Sequence, residues 1–229
     1  MRRRARHAAF SASIALAISL LAPSGAWAQA AAEVVVSNGQ SISRDYRSWS
    51  LFLVCNPEWL AGGEAAQNNM RELYRAFGSF GRIIGSDNLA VWFRKPTTGS
   101  EPSAADAYDA DEAGNYCGVY GLSANDSPHI VVTTAYPTKN GRPGNYYAIS
   151  LNRLDNTNRL RLLGSISDRI RMSDFRTAQL DSDRYWRGWI QVLQDSAQVL
   201  GQLLPALKFT VDARAVKLEF DGSRISPGP

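Results

Sequence analysis

Short apolar runs along the chain predict the strands of a buried sheet. They cover residues 51–55, 89–93, 130–134 and 146–151, and residues 33–37 form a further candidate strand. The first two runs are continuously apolar, which is typical of strands covered on both faces. In the fourth, Tyr147, Ile149 and Leu151 recur at every second position, which predicts one better-buried face.

Helical periodicity separates these runs. Between Met70 and Ile84 apolar side chains recur every three or four residues, and glycines at 62, 63 and 85 bracket the pattern. A second amphipathic helix follows the fourth strand, with Asn156 or Thr157 as its candidate cap and with apolar positions at Leu160, Leu163, Ile166 and Ile170.

The connections complete the pattern. Residues 103–120 predict an exposed loop and a short helix, and residues 137–145 predict a hairpin connection. The acidic residues of the first segment are expected on a solvated face; they are Asp106, Asp109, Asp111 and Glu112. We expect the first two strands to be parallel and the last two antiparallel. The order predicts an α/β fold with a mixed sheet flanked by helices.

Beyond residue 175 the chain predicts a C-terminal extension of one helix and a β-hairpin. Tyr185, Trp186 and Trp189 lead the helical stripe, and they either pack on their own domain or form a partner surface. Two alternating segments follow as strands at 207–211 and 216–220. The predicted divisions are a signal peptide at 1–28, an α/β domain at 29–175, the extension at 176–222 and a disordered tail at 223–229.

The N-terminus has the three zones of a secretory signal peptide. Four arginines precede the apolar run Ala8–Leu21, and Ala26-Trp27-Ala28 offers small residues for cleavage before Gln29. The pattern looks bacterial, so we expect a periplasmic protein with no membrane span in its mature chain. Four of the 25 basic residues lie in this segment, and the remaining 21 balance the 21 acidic ones. Net charge therefore gives no reason to expect nucleic acid as a partner.

Cys55 and Cys117 are the two cysteines of the chain. In an oxidising compartment an even count permits one disulfide, and a bridge across so long a loop would contribute about 4 kcal/mol in the chain-entropy model. The alternative is two buried free thiols, which behave as small apolar side chains.

Other chemistry has little support in the sequence. His129 is the one histidine after the signal segment, which excludes a zinc site with several imidazoles. No phosphate-binding loop or nucleophile elbow occurs. Glu58 and Glu64 flank the turn after the first buried strand, where helix N-terminal acids are common. No cofactor, metal or catalytic residue is predicted.

The segment from Cys117 to Leu122, with its Tyr120-Gly121-Leu122 turn, is followed by Ser127-Pro128 and the third strand. It resembles the thioredoxin pattern of a short helix, a Tyr-Gly-Ile turn and a proline that opens the third core strand. The element order over residues 48–173 also looks like the thioredoxin fold. In that family the proline bond is cis and lies beside the active site, and the resemblance implies that Pro128 corresponds to this proline. It also implies that Cys55 and Cys117 lie under the same end of the sheet, as a structural bridge requires.

The chain departs from the family at the redox motif. Thioredoxin chemistry needs Cys-x-x-Cys after the first core strand, whereas no second cysteine follows Cys55 within three residues. The resemblance therefore implies a thioredoxin-like protein without dithiol chemistry, which binds or assembles with another periplasmic or envelope protein. Its candidate peptide- or partner-binding residues are Asn56, Glu58, Trp59, Ser127, Pro128 and His129. The alternatives are an atypical thiol–disulfide oxidoreductase that uses Cys55 and Cys117, and a hydrolase that uses His129 or carboxylates.

Overall fold

A computed structural model describes residues 32–37, 39–96, 103, 105–141 and 143–172, and the backbone of three later strands. The strands are β1 Glu33–Val36, β2 Ser48–Leu53, β3 Asn88–Arg94, β4 His129–Thr133, β5 Tyr146–Ser150, β6 Phe209–Ala213, β7 Val216–Phe220 and β8 Ile225–Pro227. The helices are α1 Glu58–Ala61, α2 Gly63–Ile83, α3 Ala110–Val119 and α4 Asn156–Arg171, with a 3-10 turn at Ala124–Asp126. The predicted signal peptide at 1–28 and the aromatic cluster Tyr185, Trp186 and Trp189 lie outside the described residues.

The strands form one mixed sheet in the order β1-β3-β2-β4-β5-β6-β7-β8. β3 pairs in parallel with β1 and β2, and β4 pairs antiparallel with β2 and β5. The predictions of a mixed α/β sheet, of a parallel first pair and of an antiparallel last pair are confirmed. A helical crossover joins β2 to β3 and allows these strands to be parallel, whereas a hairpin loop joins β4 to β5 and makes them antiparallel.

Helices cover both faces of the sheet. Successive residues of a strand point to opposite faces, and in β3 the Trp92 ring contacts Phe77 of α2 whereas the Phe93 ring stacks on Tyr116 of α3. α2 and α3 therefore lie on opposite sides of β3. α4 packs beside α2, and its Ser167 hydroxyl donates to the Ile83 carbonyl at 3.0 Å.

The better-buried face predicted for β5 is not observed, because all five of its residues are buried. The chain after α3 covers the other face of the strand. The Tyr146 hydroxyl donates to the Tyr120 carbonyl at 2.8 Å, and the Ser150 hydroxyl donates to the Asp126 carbonyl at 2.5 Å.

Aspartates that precede α3 and α4 cap both helices. Asp155, and not the predicted Asn156 or Thr157, caps α4 by accepting the Asn158 N–H at 2.8 Å. Asp109 caps α3 by accepting the Glu112 N–H at 3.0 Å. Asp109 and Glu112 are buried, so the expected solvated face is wrong at these two positions. Glu112 is neutralised by Lys139, whose Nζ lies 2.6 Å from its carboxylate.

The C-terminal strands extend the sheet beyond β5. β6 and β7 form an antiparallel pair, and β6 begins two residues later than the predicted strand, so that Asp212 and Ala213 belong to the strand rather than to the turn. β8 pairs with β7 inside the tail for which disorder is predicted. The edge of β7 offers backbone donors and acceptors to such a segment. No described helix is both long enough and apolar enough to span a membrane.

Candidate functional site

The loop before β4 is tied to the carboxyl end of β2. The buried Ser127 hydroxyl accepts the N–H of Cys55 at 2.8 Å and that of Asn56 at 3.2 Å. The Ser127–Pro128 peptide bond is cis, and the Pro128 carbonyl accepts the Leu151 N–H at 2.7 Å. Three segments that are distant in sequence are therefore held together at one end of the sheet.

The two cysteines add a covalent link at this end. Cys55 and Cys117 form a disulfide with Cα atoms 5.8 Å apart, which joins the end of β2 to α3. Two free thiols were the alternative, and the structure contradicts it. Cys117 is buried and Cys55 is half-buried, so the bridge lies just under the surface.

An open cleft of about 480 Å³ lies beside the end of β2, within the usual range of small-ligand sites. Four asparagines from four separate segments line it: Asn56, Asn69, Asn125 and Asn152. Glu58 and Trp59 contribute from α1, and Gly62 and Ala66 complete the lining. A Cβ atom on Gly62 would lie 2.9 Å from the Ala66 Cβ, so the close approach of α1 and α2 requires a glycine there.

A short turn after β2 presents Glu58 and Trp59 to the cleft. Asn56 Oδ1 accepts the Glu58 N–H at 2.9 Å, which is an Asx turn, and the carbonyls of Asn56 and Pro57 accept further N–H groups of α1. Trp59 is half-buried and packs against the core, whereas the Glu58 carboxylate is exposed.

The carboxamides of the cleft differ in what they bind within the chain. Asn152 Nδ2 donates to the Asn125 carbonyl at 3.0 Å, which holds the turn after β5 against the 3-10 turn. Within the described part of the chain, the side chains of Asn69 and Asn125 make no hydrogen bond, and both are exposed. Each offers two donors and one acceptor to a ligand.

His129 is next to the cis bond but does not line the cleft. Its side chain is buried, and Nε2 lies 2.9 Å from the Ser123 carbonyl, which assigns the proton to Nε2. Burial lowers the pKa of His129, and the Ser123 carbonyl and Asp126 oppose that shift only in part. The imidazole is therefore neutral at pH 7, and we assign it a structural role.

The predicted binding residues thus fall into two groups. Asn56, Glu58 and Trp59 line the cleft, whereas Ser127, Pro128 and His129 are buried beneath it and hold its shape. The predicted set lacks the other lining residues, which are Gly62, Ala66, Asn69, Asn125 and Asn152. Among these residues, only Asn125 lies near a predicted binding residue, because it is two positions before Ser127. No cluster of metal-binding side chains occurs among the described residues.

The chain was compared with protein-family models, with curated proteins and with solved structures, and none of the three comparisons found a match.

Proposed function

We propose that this protein is a thioredoxin-like periplasmic protein without dithiol chemistry, which serves as a protein-binding or assembly module. The element order and the pairing of β2 to β5 support the fold, as does the cis bond before Pro128 at the position that the resemblance indicates. The signal-peptide pattern of the N-terminus supports the compartment.

The cleft is the observation that carries the proposal. It lies where the family places its chemistry, after the first core strand, but it presents carboxamides, a carboxylate and an indole instead of a thiol pair. Cys55 is bridged to Cys117 at a sequence separation of 62, so it is not one half of a Cys-x-x-Cys motif. A site with these groups can bind a partner through hydrogen bonds and aromatic contact.

Thiol–disulfide exchange by Cys55 and Cys117 is the second candidate function. It is favoured by one observation, because Cys55 is half-buried and directly precedes Asn56 of the cleft. A ligand in the cleft would therefore lie close to the bridge. The hydrolase hypothesis is less favoured, since His129 is buried outside the cleft and is bonded to a backbone carbonyl.

Thiol assays separate the two candidates. The purified protein should not accelerate the reduction of insulin by dithiothreitol, and its bridge should survive a glutathione buffer at about −250 mV, a reducing potential that structural disulfides resist. Rapid exchange through Cys55, trapped as a mixed disulfide with a substrate, would refute the binding module and support the oxidoreductase. A Cys117→Ala variant, which frees Cys55, serves as the positive control for trapping.

A further inference from the structure

The charge of the cleft restricts its ligand. Among the described residues that line it, Glu58 carries the one formal charge, and no lysine or arginine is present. An anionic ligand would therefore meet a carboxylate and no cation to neutralise it. A neutral or cationic ligand is electrostatically preferred.

The carboxamides fit a peptide main chain. A carboxamide has the same donor and acceptor groups as a peptide bond, so Asn69 and Asn125 can each pair with the N–H and C=O groups of an extended segment. Asn56 and Asn152 already use part of their capacity inside the protein. The side chains of Asn69 and Asn125 make no hydrogen bond to the described residues. Trp59 and Ala66 are the apolar contributors, too few to select a large apolar side chain.

Glu58 and Trp59 together match a basic side chain. They are adjacent on α1 and both line the cleft, one with an exposed carboxylate and the other with an indole. An ammonium or guanidinium group is attracted both to a carboxylate and to the face of an indole ring. An acidic side chain would be repelled by the carboxylate, and a neutral side chain would gain no charge attraction from either group.

We propose that the cleft binds an extended peptide segment of a partner protein, with asparagine carboxamides on its main chain and a lysine or arginine side chain against Glu58 and Trp59. This inference rests on the proposed binding function and names the chemistry of the partner segment. It accounts for the free carboxamides of Asn69 and Asn125 and for the lone charge of the cleft with one ligand.

Short synthetic peptides test the inference on the full mature protein. The probe is a capped serine/alanine peptide with one central lysine, and its match has norleucine, which keeps the alkyl stem but carries no charge. Binding is followed by the NMR signals of the backbone and side-chain amides. The lysine peptide should bind about three- to tenfold more tightly than the norleucine peptide, as expected for one exposed ion pair with a cation–π contact. That preference should shrink in about 1 M salt.

Two glutamates of the chain provide a matched pair of variants. Glu58→Gln removes the charge from the cleft and should reduce the lysine preference to about twofold, because the indole of Trp59 remains. Glu64→Gln removes the same charge from an exposed side chain of α2 that does not line the cleft, and it should leave the preference unchanged. Asn69→Ala should weaken both peptides equally, because it removes a main-chain contact.

Three results would overturn the inference. The first is equal binding of the lysine and norleucine peptides, and the second is a lysine preference that Glu58→Gln leaves undiminished. The third is a neutral oligosaccharide that shifts the Asn69 and Asn125 amides while neither peptide does. Each of these results is compatible with a binding module that takes another ligand, whereas insulin reduction or exchange through Cys55 would refute the proposed binding function itself.

Discussion

Polar side chains lie at both ends of the central strands β2 and β4, and the two ends differ in where their hydrogen bonds go. At the end where β2 and β3 begin, which we call the closed end, Ser48 donates to Asn88 Oδ1 at 2.6 Å. Asn88 Nδ2 in turn donates to the Ile84 carbonyl at 2.8 Å. Trp49 Nε1 also donates to the Ser43 carbonyl at 2.9 Å. At the cleft end, the carboxamides of Asn69 and Asn125 make no such bonds within the described part of the chain.

The difference separates the asparagines with a structural role from those that we propose bind a partner. Asn88 is buried, and its carboxamide satisfies groups that would otherwise be unpaired in the core. Asn69 is exposed on α2, so its carboxamide is open to solvent. The same residue type therefore stabilises one end and remains available for recognition at the other.

Loss of the disulfide should have the largest effect on stability. The double variant Cys55→Ala/Cys117→Ala releases the tie between β2 and α3, and we expect the free energy of unfolding to fall by about 4 kcal/mol from the loop that the bridge closes. Urea unfolding of the oxidised protein and the variant measures this. The reduced wild type is the control and should resemble the variant. A loss below about 1 kcal/mol would mean that the bridge does not hold the cleft end.

At the closed end, Asn88→Ala should be the next most costly change. It leaves the Ser48 hydroxyl and the Ile84 carbonyl unpaired in the core, so we expect a loss of about 2 to 3 kcal/mol. Urea unfolding of Ser48→Ala, Asn88→Ala and the double variant completes a mutant cycle. Additive losses would contradict a direct bond between the two side chains.

His129 should make the cleft end sensitive to acid. Its folded-state pKa is lowered by burial, so below about pH 6.5 the unfolded chain binds a proton that the folded chain does not. The free energy of unfolding therefore falls as the pH drops below this value, by at most about 1.4 kcal/mol for each pH unit, because unfolding is coupled to protonation of His129. Thermal unfolding as a function of pH should therefore show a shallower acid decline for His129→Gln. Parallel profiles for the two proteins would contradict a buried neutral imidazole.

Asn69→Ala should have the smallest effect on stability. Since the side chain is exposed and makes no described hydrogen bond, the free energy of unfolding should change by less than about 0.5 kcal/mol. Compared with Asn88→Ala, this is the same substitution at the opposite end of the sheet. Equal losses at both positions, measured by urea unfolding, would remove the distinction between the two ends.

The positions of the central strands could be predicted from the sequence because they depend on local pattern. The apolar run at 89–93 lies within β3, whereas only residues 51–53 of the run at 51–55 lie within β2, which begins at Ser48. The glycines at 63 and 85 have positive φ at the two ends of α2. The cap of α4 was missed by one residue, since Asp155, Asn156 and Thr157 are all suitable capping residues and only the backbone decides among them.

The cleft could be predicted only in part. Asn56, Glu58 and Trp59 follow a buried strand directly, and that position marks the end of the sheet. Asn69 lies on the exposed side of α2, where polar residues are expected in any soluble helix, and Asn152 lies in a turn where asparagine is common. Their meeting at one cleft depends on contacts between distant segments, such as the bonds of Ser127 to Cys55 and Asn56, which no local pattern encodes.

A photo-crosslinking experiment tests most directly whether partners dock at the cleft end. A photoreactive phenylalanine derivative replaces Asn69 at the cleft or, as the control, the exposed Arg47 at the closed end, and each protein is irradiated in a periplasmic extract. We predict a crosslinked protein from position 69 that the lysine peptide displaces at an about three- to tenfold lower concentration than the norleucine peptide, and no such product from position 47. Products of equal yield from both positions, or from position 47 alone, would contradict the account.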